Sequence, residues 1–424
     1  MSTLQRYSSY KESGVEWLGE IPEHWEIVPG MKVYRENKRK NIGMIEDRVL
    51  SLSYGNIIVK PIEKLVGLVP ESFETYQIVQ TGDIIIRCMD LQNDKTSLRT
   101  GFSRNHGIIT SAYLNLNVLN GHAEYLYYYL HALDLTKVIY KFGTGLRQNL
   151  SFIDFKRLAI VFPPVDEQYS IVNFLNKKSD QIDQAIRQKE QLIELLKERR
   201  QIVINEAVTR GLNPNTSMKD SGVEWIGEIP EHWTVKRGKY IFKEINERSG
   251  TGNEELLSVS HMTGVTPRSE KNVSMFMSED YTGSKTCQKD DLVMNIMWAW
   301  MGALGISPQE GIVSSSYAVY RQHKIILSST YIEHLLKSVK YIEHYNRVST
   351  GLHSSRLRFY SHMFMSMKIG FPSIDEQFKI ITYIEEHTSK IDAAIELQQN
   401  YITKLKEYKA TLIDSVVTGK VRVA

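Results

Sequence analysis

Cysteine is nearly absent: Cys88 and Cys287 are the only two in 424 residues. Two thiols without zinc-ligand spacing exclude a disulfide framework and a zinc module, and a reducing cytoplasm is the expected setting. Long apolar runs are also missing. No stretch of 18 apolar residues occurs, which argues against a spanning helix, and Met1-Ser-Thr-Leu-Gln-Arg-Tyr7 has no apolar core for a signal peptide. Charge of one sign is lacking too, since 52 Lys+Arg against 49 Asp+Glu leave a net +3. That value neither announces a nucleic-acid binder nor dismisses one.

Chemistry-bearing motifs are equally thin. Gly238-Lys239 is followed by Tyr240 and Gly419-Lys420 by Val421, so there is no phosphate loop. Gly143-Thr-Gly145 lacks the third glycine of a dinucleotide fingerprint. Phe162-Pro-Pro-Val165 has neither the polar first residue nor the stacking aromatic of an amino-methyltransferase loop, and reads as a helix-start turn. Glu36-Asn-Lys38 and Glu407-Tyr-Lys409 match a nuclease-like spacing by accident, with no metal-binding aspartate upstream. No catalytic, cofactor-binding or metal-ligating residue is expected.

What the chain does contain is itself, twice. Residues 11–25 read KESGVEWLGEIPEHW and residues 219–233 read KDSGVEWIGEIPEHW, identical at 13 of 15 positions. The echo continues at an offset of about 208: Thr144-Gly-Leu146 faces Thr350-Gly-Leu352, and Phe162-Pro-Pro-Val-Asp-Glu-Gln168 faces Phe371-Pro-Ser-Ile-Asp-Glu-Gln377. The copies diverge most between these landmarks, as expected of one task performed on two targets. His24 and His232, fixed inside the repeated motif, are read as structural, docking the segment through Trp25 and Trp233.

Each copy has two parts. The first is punctuated by short β-branched runs such as Asn56–Val59, Asp83–Ile86 and Tyr113–Asn117, with a helix predicted over Glu124 to Tyr140. The second holds no Gly or Pro from Val165 to Arg210, nor from Ile374 to Thr418. Ile182, Leu196 and Val203 with Ile186 and Ile193 form two rows at heptad spacing in the first stretch. Ile391, Leu405 and Leu412 with Ile395 and Ile402 repeat them in the second, and Lys189 and Gln398 interrupt. So narrow a seam calls for a helical partner. The expected fold is α+β, a pseudo-twofold tandem repeat of two mixed α/β domains (1–162 and 213–371) joined by two long antiparallel coiled-coil helices (163–212 and 372–424). At 1.5 Å per residue each helix would run roughly 60–70 Å.

The net charge conceals a division. Residues 30–150 hold 15 basic and 11 acidic residues, residues 234–371 hold 17 and 12, and residues 165–211 are balanced at eight and eight. Positive charge therefore belongs to the globular parts, and modest patches suffice for phosphate contacts when partners add attraction. Lys38, Arg39 and Lys40 end a basic run that reads either as a solvated turn or as a phosphate contact. Thr144 lies in a glycine-rich loop followed by Arg147, Gln148 and Asn149, side chains suited to bidentate contacts, Arg with guanine and Gln or Asn with adenine. Thr350, His353, Arg356 and Arg358 are their counterparts, with different polar tips. Met297-Trp298-Ala-Trp300-Met301 reads as core or a glycine-terminated hairpin rather than a stacking platform, and Tyr127-Tyr-Tyr129 as packed within its helix.

Taken together, the W-[LI]-G-E-I-P-E-H-W heads, the T-G-L before F-P-x-[VI]-D-E-Q, and Ile182-Asp183 with Ile391-Asp392 resemble the specificity subunit of Type I restriction–modification enzymes over nearly the whole chain. The resemblance implies two target recognition domains, each reading half of a bipartite, asymmetric site in double-stranded DNA, with the helices setting the gap. It implies two modification (methyltransferase) subunits docked on the helices and two restriction (translocase and nuclease) subunits. S-adenosylmethionine, ATP and Mg would lie on those partners, and this chain would be non-catalytic, cytoplasmic and free of membrane. A freestanding bipartite-site regulator and a self-contained modification enzyme are the alternatives.

Overall fold

The computed structural model describes residues 5–61, 72–91, 96–142, 149–270, 280–351 and 357–423. Two compact units are present: Met1–Glu190 with Gln399–Ala424, and Gln191–Gln398. Their limits fall inside the two long helices, Val165–Arg210 and Ile374–Val417. The reason is packing. The last turns of each long helix join the unit of the other copy, where Ile204, Ala207 and Val208 enter the core around Trp233 and Tyr331. Among the described residues no helix is long and apolar enough to cross a membrane.

Each unit is built on a four-stranded antiparallel sheet. In the first its order is Tyr34–Glu36, Leu114–Val118, Ile84–Ile86, Thr100–Phe102. In the second it is Phe242–Ile245, Ala318–Gln322, Leu292–Met294, Leu304–Ile306. The strand Ile84–Ile86 is buried on both faces, which an unbroken apolar triplet requires, because successive side chains point to opposite sides of a sheet. Ile85 packs with Leu50, Ile57, Val79 and Ile109 on one side. Val293 does the same in the second unit with Leu257, Val259 and Val313, while Leu292 and Met294 face the helices.

A helix covers that other face. It spans Ala123–Leu135, ending before the Tyr140 expected from the apolar spacing. Lys137 takes a φ of 62°, and Thr136 Oγ1 donates to the Ala132 carbonyl, so the chain leaves the helix and continues as a 3-10 turn over Val138–Phe142. A non-glycine residue in the left-handed region stops helical hydrogen bonding as glycine does. The tyrosines of this helix reach outward to its neighbours: Tyr129 donates to the Ala159 carbonyl and Tyr125 to those of Val161 and Val417.

The long helices begin the same way in both units. Gln168 is fully buried; its Nε2 donates to the Pro163 carbonyl at 2.8 Å, and its Oε1 accepts the His122 N–H at 2.7 Å. Gln377 repeats this with Pro372 at 3.0 Å and Ser328 at 2.8 Å. Beside each glutamine a glutamate collects the EIPEHW motif. Glu167 accepts Trp25 Nε1 at 3.0 Å and meets His24 Nε2 at 2.6 Å, and Glu376 accepts Trp233 Nε1 at 3.1 Å and meets His232 at 2.7 Å. The two histidines are thus structural, as read from the motif. Gly419, at φ 76°, closes the second long helix where an added Cβ would lie 2.3 Å from Pro22, so only glycine fits.

Within each unit the helices lie antiparallel. In the first, Asp183 pairs with Lys409 at 2.7 Å, and six residues on Lys189 lies 4.5 Å over the ring of Tyr401. In the second, Arg200 pairs with Asp392 at 3.0 Å. Of the seam positions, Ile182, Ile186, Ile193, Val203, Ile402 and Leu412 are buried, and Leu196, Ile391, Ile395 and Leu405 are half-buried. Replacing Gln168 or Gln377 by Leu strands a buried N–H and a buried carbonyl, so each change is expected to cost about 2–4 kcal/mol, measured by urea unfolding of the full chain. A loss under about 0.5 kcal/mol would mean that the pin is dispensable.

Candidate nucleic-acid interface

The sheet register gathers the candidate residues of the first unit. Glu36 and Ile84 both pair with Leu116 from its two sides, and their strands run the same way. Residues 37–40 and 87–90 therefore leave the sheet by the same end. There Lys40 forms a bridge with Gln77, the Ile78 N–H donates to the Arg39 carbonyl, and the Arg39 N–H donates to Asn37 Oδ1. The run is held as an ordered strip with Lys38, Arg39 and Lys40 exposed, Lys38 meeting Glu36 at 2.9 Å.

The chain just after the glycine-rich segment, at Asn149 and Leu150, lies at that end as well. Thr144, Arg147 and Gln148 lie outside the described residues, and so do His353 and Arg356. Their anchors are described. Asn149 Oδ1 accepts the Asp90 N–H at 3.0 Å, and the Leu150 N–H donates to the Cys88 carbonyl at 2.9 Å. In the second unit Thr350 and Arg358 exchange two backbone hydrogen bonds at 3.1 and 2.9 Å, and the Phe359 N–H donates to the Ile296 carbonyl at 2.9 Å. The base of each loop is thus tied to the hairpin that leaves the second central strand of its sheet.

In the second unit that hairpin carries the tryptophans. Ala299–Met301 form a 3-10 turn ended by Gly302 at φ 82°, which is the glycine-terminated hairpin expected from the sequence. Trp298 is nevertheless 44% exposed, its ring stacked on Trp300 with centroids 5.9 Å apart. Spacing does not bring this hairpin near Phe359; the fold does, through the Ile296 carbonyl.

In the first unit the equivalent hairpin is held from beneath by Arg99, which sequence reasoning missed. Its fully buried side chain donates to the carbonyls of Met89 at 2.7 Å and Asp90 at 3.1 Å, and to Tyr140 Oη at 2.9 Å. Its N–H and that of Thr100 are accepted by Asp134, whose carboxyl burial pushes upward against those hydrogen bonds. Thr100 Oγ1 also meets His131 Nδ1 at 2.8 Å. Burial lowers the His131 imidazole to about 4, and the charges of Lys409 and Lys137 act in the same direction. A buried, hydrogen-bonded knot therefore fixes the hairpin to the helix. No local signal marks it, since its members lie 31 to 35 residues apart.

A cleft of about 900 Å³ lies between this helix and the paired long helices, with Arg104, His131, Asp183, Arg187, Lys406 and Lys409 among its lining. Its charges are mixed, and Asp183 is already paired to Lys409. At the sheet end Lys38, Arg39 and Lys40 are instead consecutive and exposed, open to a phosphate backbone.

Residues 49–195 match the family model described as the Type I restriction modification DNA specificity domain. The chain is similar to the Type I restriction enzyme MjaVIII specificity subunit of Methanocaldococcus jannaschii, with 23% identity covering 98% of this chain and 97% of that protein. Its fold is similar to a chain solved in a study of the assembly and conformational transition of the type I restriction–modification system. That match has a TM-score of 0.64 at 13% identity and covers 94% of this chain and 98% of the other.

The buried imidazole gives the first unit a pH dependence of known sign. With a folded value near 4 the unfolded chain binds the extra proton first, so stability falls as pH drops from about 6.5 to about 4. The loss is expected to approach roughly 3 kcal/mol at the acid end. Unfolding measured across this range should show a shallower slope in His131→Gln, the remainder coming from His122, His334 and His344, and an unchanged slope would refute the assignment.

Proposed function

Because residues 49–195 match the Type I restriction modification DNA specificity domain and the whole chain is similar to a specificity subunit, we propose that it is the sequence-reading subunit of such a system, each compact unit reading one half of a bipartite, asymmetric DNA site. The observation that carries this reading is where the two copies agree and where they differ. The glutamine pin, the glutamate latch and the strand order are common to both. The sheet ends differ: Lys38-Arg39-Lys40 stands in one copy where Asn246-Glu247-Arg248 stands in the other, and Asp90 where Trp298 does. Two readers on one frame suit two unlike half-sites.

The paired helices set the spacing between half-sites and dock two modification subunits. Exposed apolar residues along them, among them Leu195, Leu397, Tyr401 and Tyr408, support a protein partner there. Two restriction subunits complete the assembly, and S-adenosylmethionine, ATP and Mg belong to these partners. The chain itself recognises and positions, without a catalytic step. A freestanding regulator would instead bind its site tightly and specifically in pure form. A self-contained modification enzyme would bind S-adenosylmethionine, which calorimetry on the isolated chain reads directly.

Exchanging residues 30–150 for those of a relative is expected to alter one half of the methylated motif and leave the other intact, read by single-molecule methylation sequencing of the host genome. Changes in both halves would refute the assignment. Removing seven residues from one long helix is expected to change the spacer or abolish assembly. Unchanged spacing at full activity would dismiss the helices as a ruler.

A further inference from the structure

Beyond the basic strip, the chain of the first unit makes a closed loop over residues 41–46. Its pin is Asn41, fully buried, whose Nδ2 donates to the Glu46 carbonyl at 2.8 Å while its Oδ1 accepts the Glu46 N–H at 3.1 Å. The Met44 N–H donates to the Asn41 carbonyl at 3.0 Å, and that of Gly43 to Glu74 Oε1 at 2.7 Å. From this tied frame three apolar side chains face water: Ile42 at 73% exposure, Met44 at 50% and Ile45 at 65%. Met44 does so at φ 50°, a left-handed conformation that achiral Gly adopts freely and L residues, Asn and Asp apart, enter only at a cost.

The second copy shows that the fold does not require them. Its equivalent loop, residues 249–254, is pinned by Ser249, whose Oγ donates to Glu254 Oε2 at 2.6 Å and accepts the Gly252 N–H at 2.7 Å. The intervening residues are Gly250, Thr251, Gly252 and Asn253, and Gly252 takes the left-handed position that Met44 occupies. An ordered loop of equal length therefore forms without any apolar side chain. The first copy instead presents three, one of them strained, directly after the exposed Lys38, Arg39 and Lys40.

We propose that residues 42–45 form an apolar wedge of the first recognition domain, which enters a groove of duplex DNA and partly unstacks a base step while the adjacent basic strip holds the phosphates. The inference rests on the DNA-reading function proposed above. Ile and Met are side chains that proteins insert between base pairs, and the unstacking cost is repaid by wider contact. Basic residues next to the wedge distinguish a nucleic acid from an apolar protein surface. The device belongs to one half-site only, since the second copy lacks it.

The test uses the full chain assembled with its methyltransferase subunits, and a duplex carrying the motif found by methylation mapping, with 2-aminopurine placed in turn at each step of the first half-site. In the wild type one position should brighten on binding. In Ile42→Ser/Met44→Gly/Ile45→Asn, and to a smaller degree in Ile42→Ser alone, that signal should fall and affinity should drop roughly tenfold or more. The salt slope should stay unchanged, because no phosphate contact is removed. Melting temperature should hold or rise, since the Met44→Gly change relieves the strained backbone. Wild-type affinity in the triple variant, affinity loss with an undiminished fluorescence change, or failure to assemble with the methyltransferase subunits would each overturn the wedge. If the wild-type assembly binds the motif no better than random DNA, the recognition function itself fails, and the wedge with it.

Discussion

Gln168 and Gln377 decide where each long helix leaves its domain. Both are buried amides that satisfy a carbonyl just before the helix and an N–H at the start of the domain's own helical segment. A buried amide has donors and acceptors in fixed directions, so it tolerates one relative placement of the groups it joins. The glutamates beside them add a second constraint, drawing Trp25 and Trp233 onto the first helical turn. A carboxylate at a helix N-terminus is also favoured by the backbone dipoles. The domain, the repeated motif and the helix are thereby fixed to one another at each junction. The sheet ends that carry the candidate DNA contacts take no part in these junctions and are free to vary.

The polar interior of the two copies illustrates that freedom. Asp83 and Asp291 are both buried, and each accepts a backbone N–H three residues back, from Gln80 and Gln288. The partner across the strand differs. Asn117 meets Asp83 at 2.7 Å, and Arg35 then bonds to Asn117, whereas Arg321 takes Asp291 directly with two bonds of 2.7 Å. One buried carboxylate is served by an amide and the other by a guanidinium. The same turn survives both solutions, because a buried charge needs complete hydrogen bonding rather than a particular donor. The result is one scaffold whose exposed cations sit at different places in the two halves.

Much of this was legible in the sequence, for reasons that can be named. A tandem repeat declares itself, and 46 and 44 residues of helix without Gly or Pro leave few alternatives. Helix length and heptad rows are local properties. The end of the shorter helix was misplaced because one residue, Lys137, adopts a left-handed φ that its type does not advertise. The compact units were not legible, because nothing local tells which domain a helix end will pack beneath. The site was legible in part: the basic strip and loop bases are written in the chain, and their meeting at one sheet end depends on strand register. Arg99, Thr100, His131 and Asp134 were invisible, since a buried Arg donating to carbonyls looks in sequence like any surface Arg.

Register between the long helices follows from the same logic. The heptad rows are interrupted at Lys189 and Gln398, and the structure adds Arg200 and Lys409 on the neighbouring rows. Each of these two basic residues meets the aspartate of an Ile-Asp pair on the facing helix, Lys409 with Asp183 and Arg200 with Asp392. The pairs are partly exposed, so their net contribution to stability is small. Their effect is on the alternatives. A slip of one heptad would set Asp183 opposite Ile402 or Val416, leaving a carboxylate against the buried seam without its cation. Apolar rows alone repeat every seven residues and accept such a slip; a single charged position per row removes it. A single fixed register between two long helices depends on that restriction more than on additional buried area.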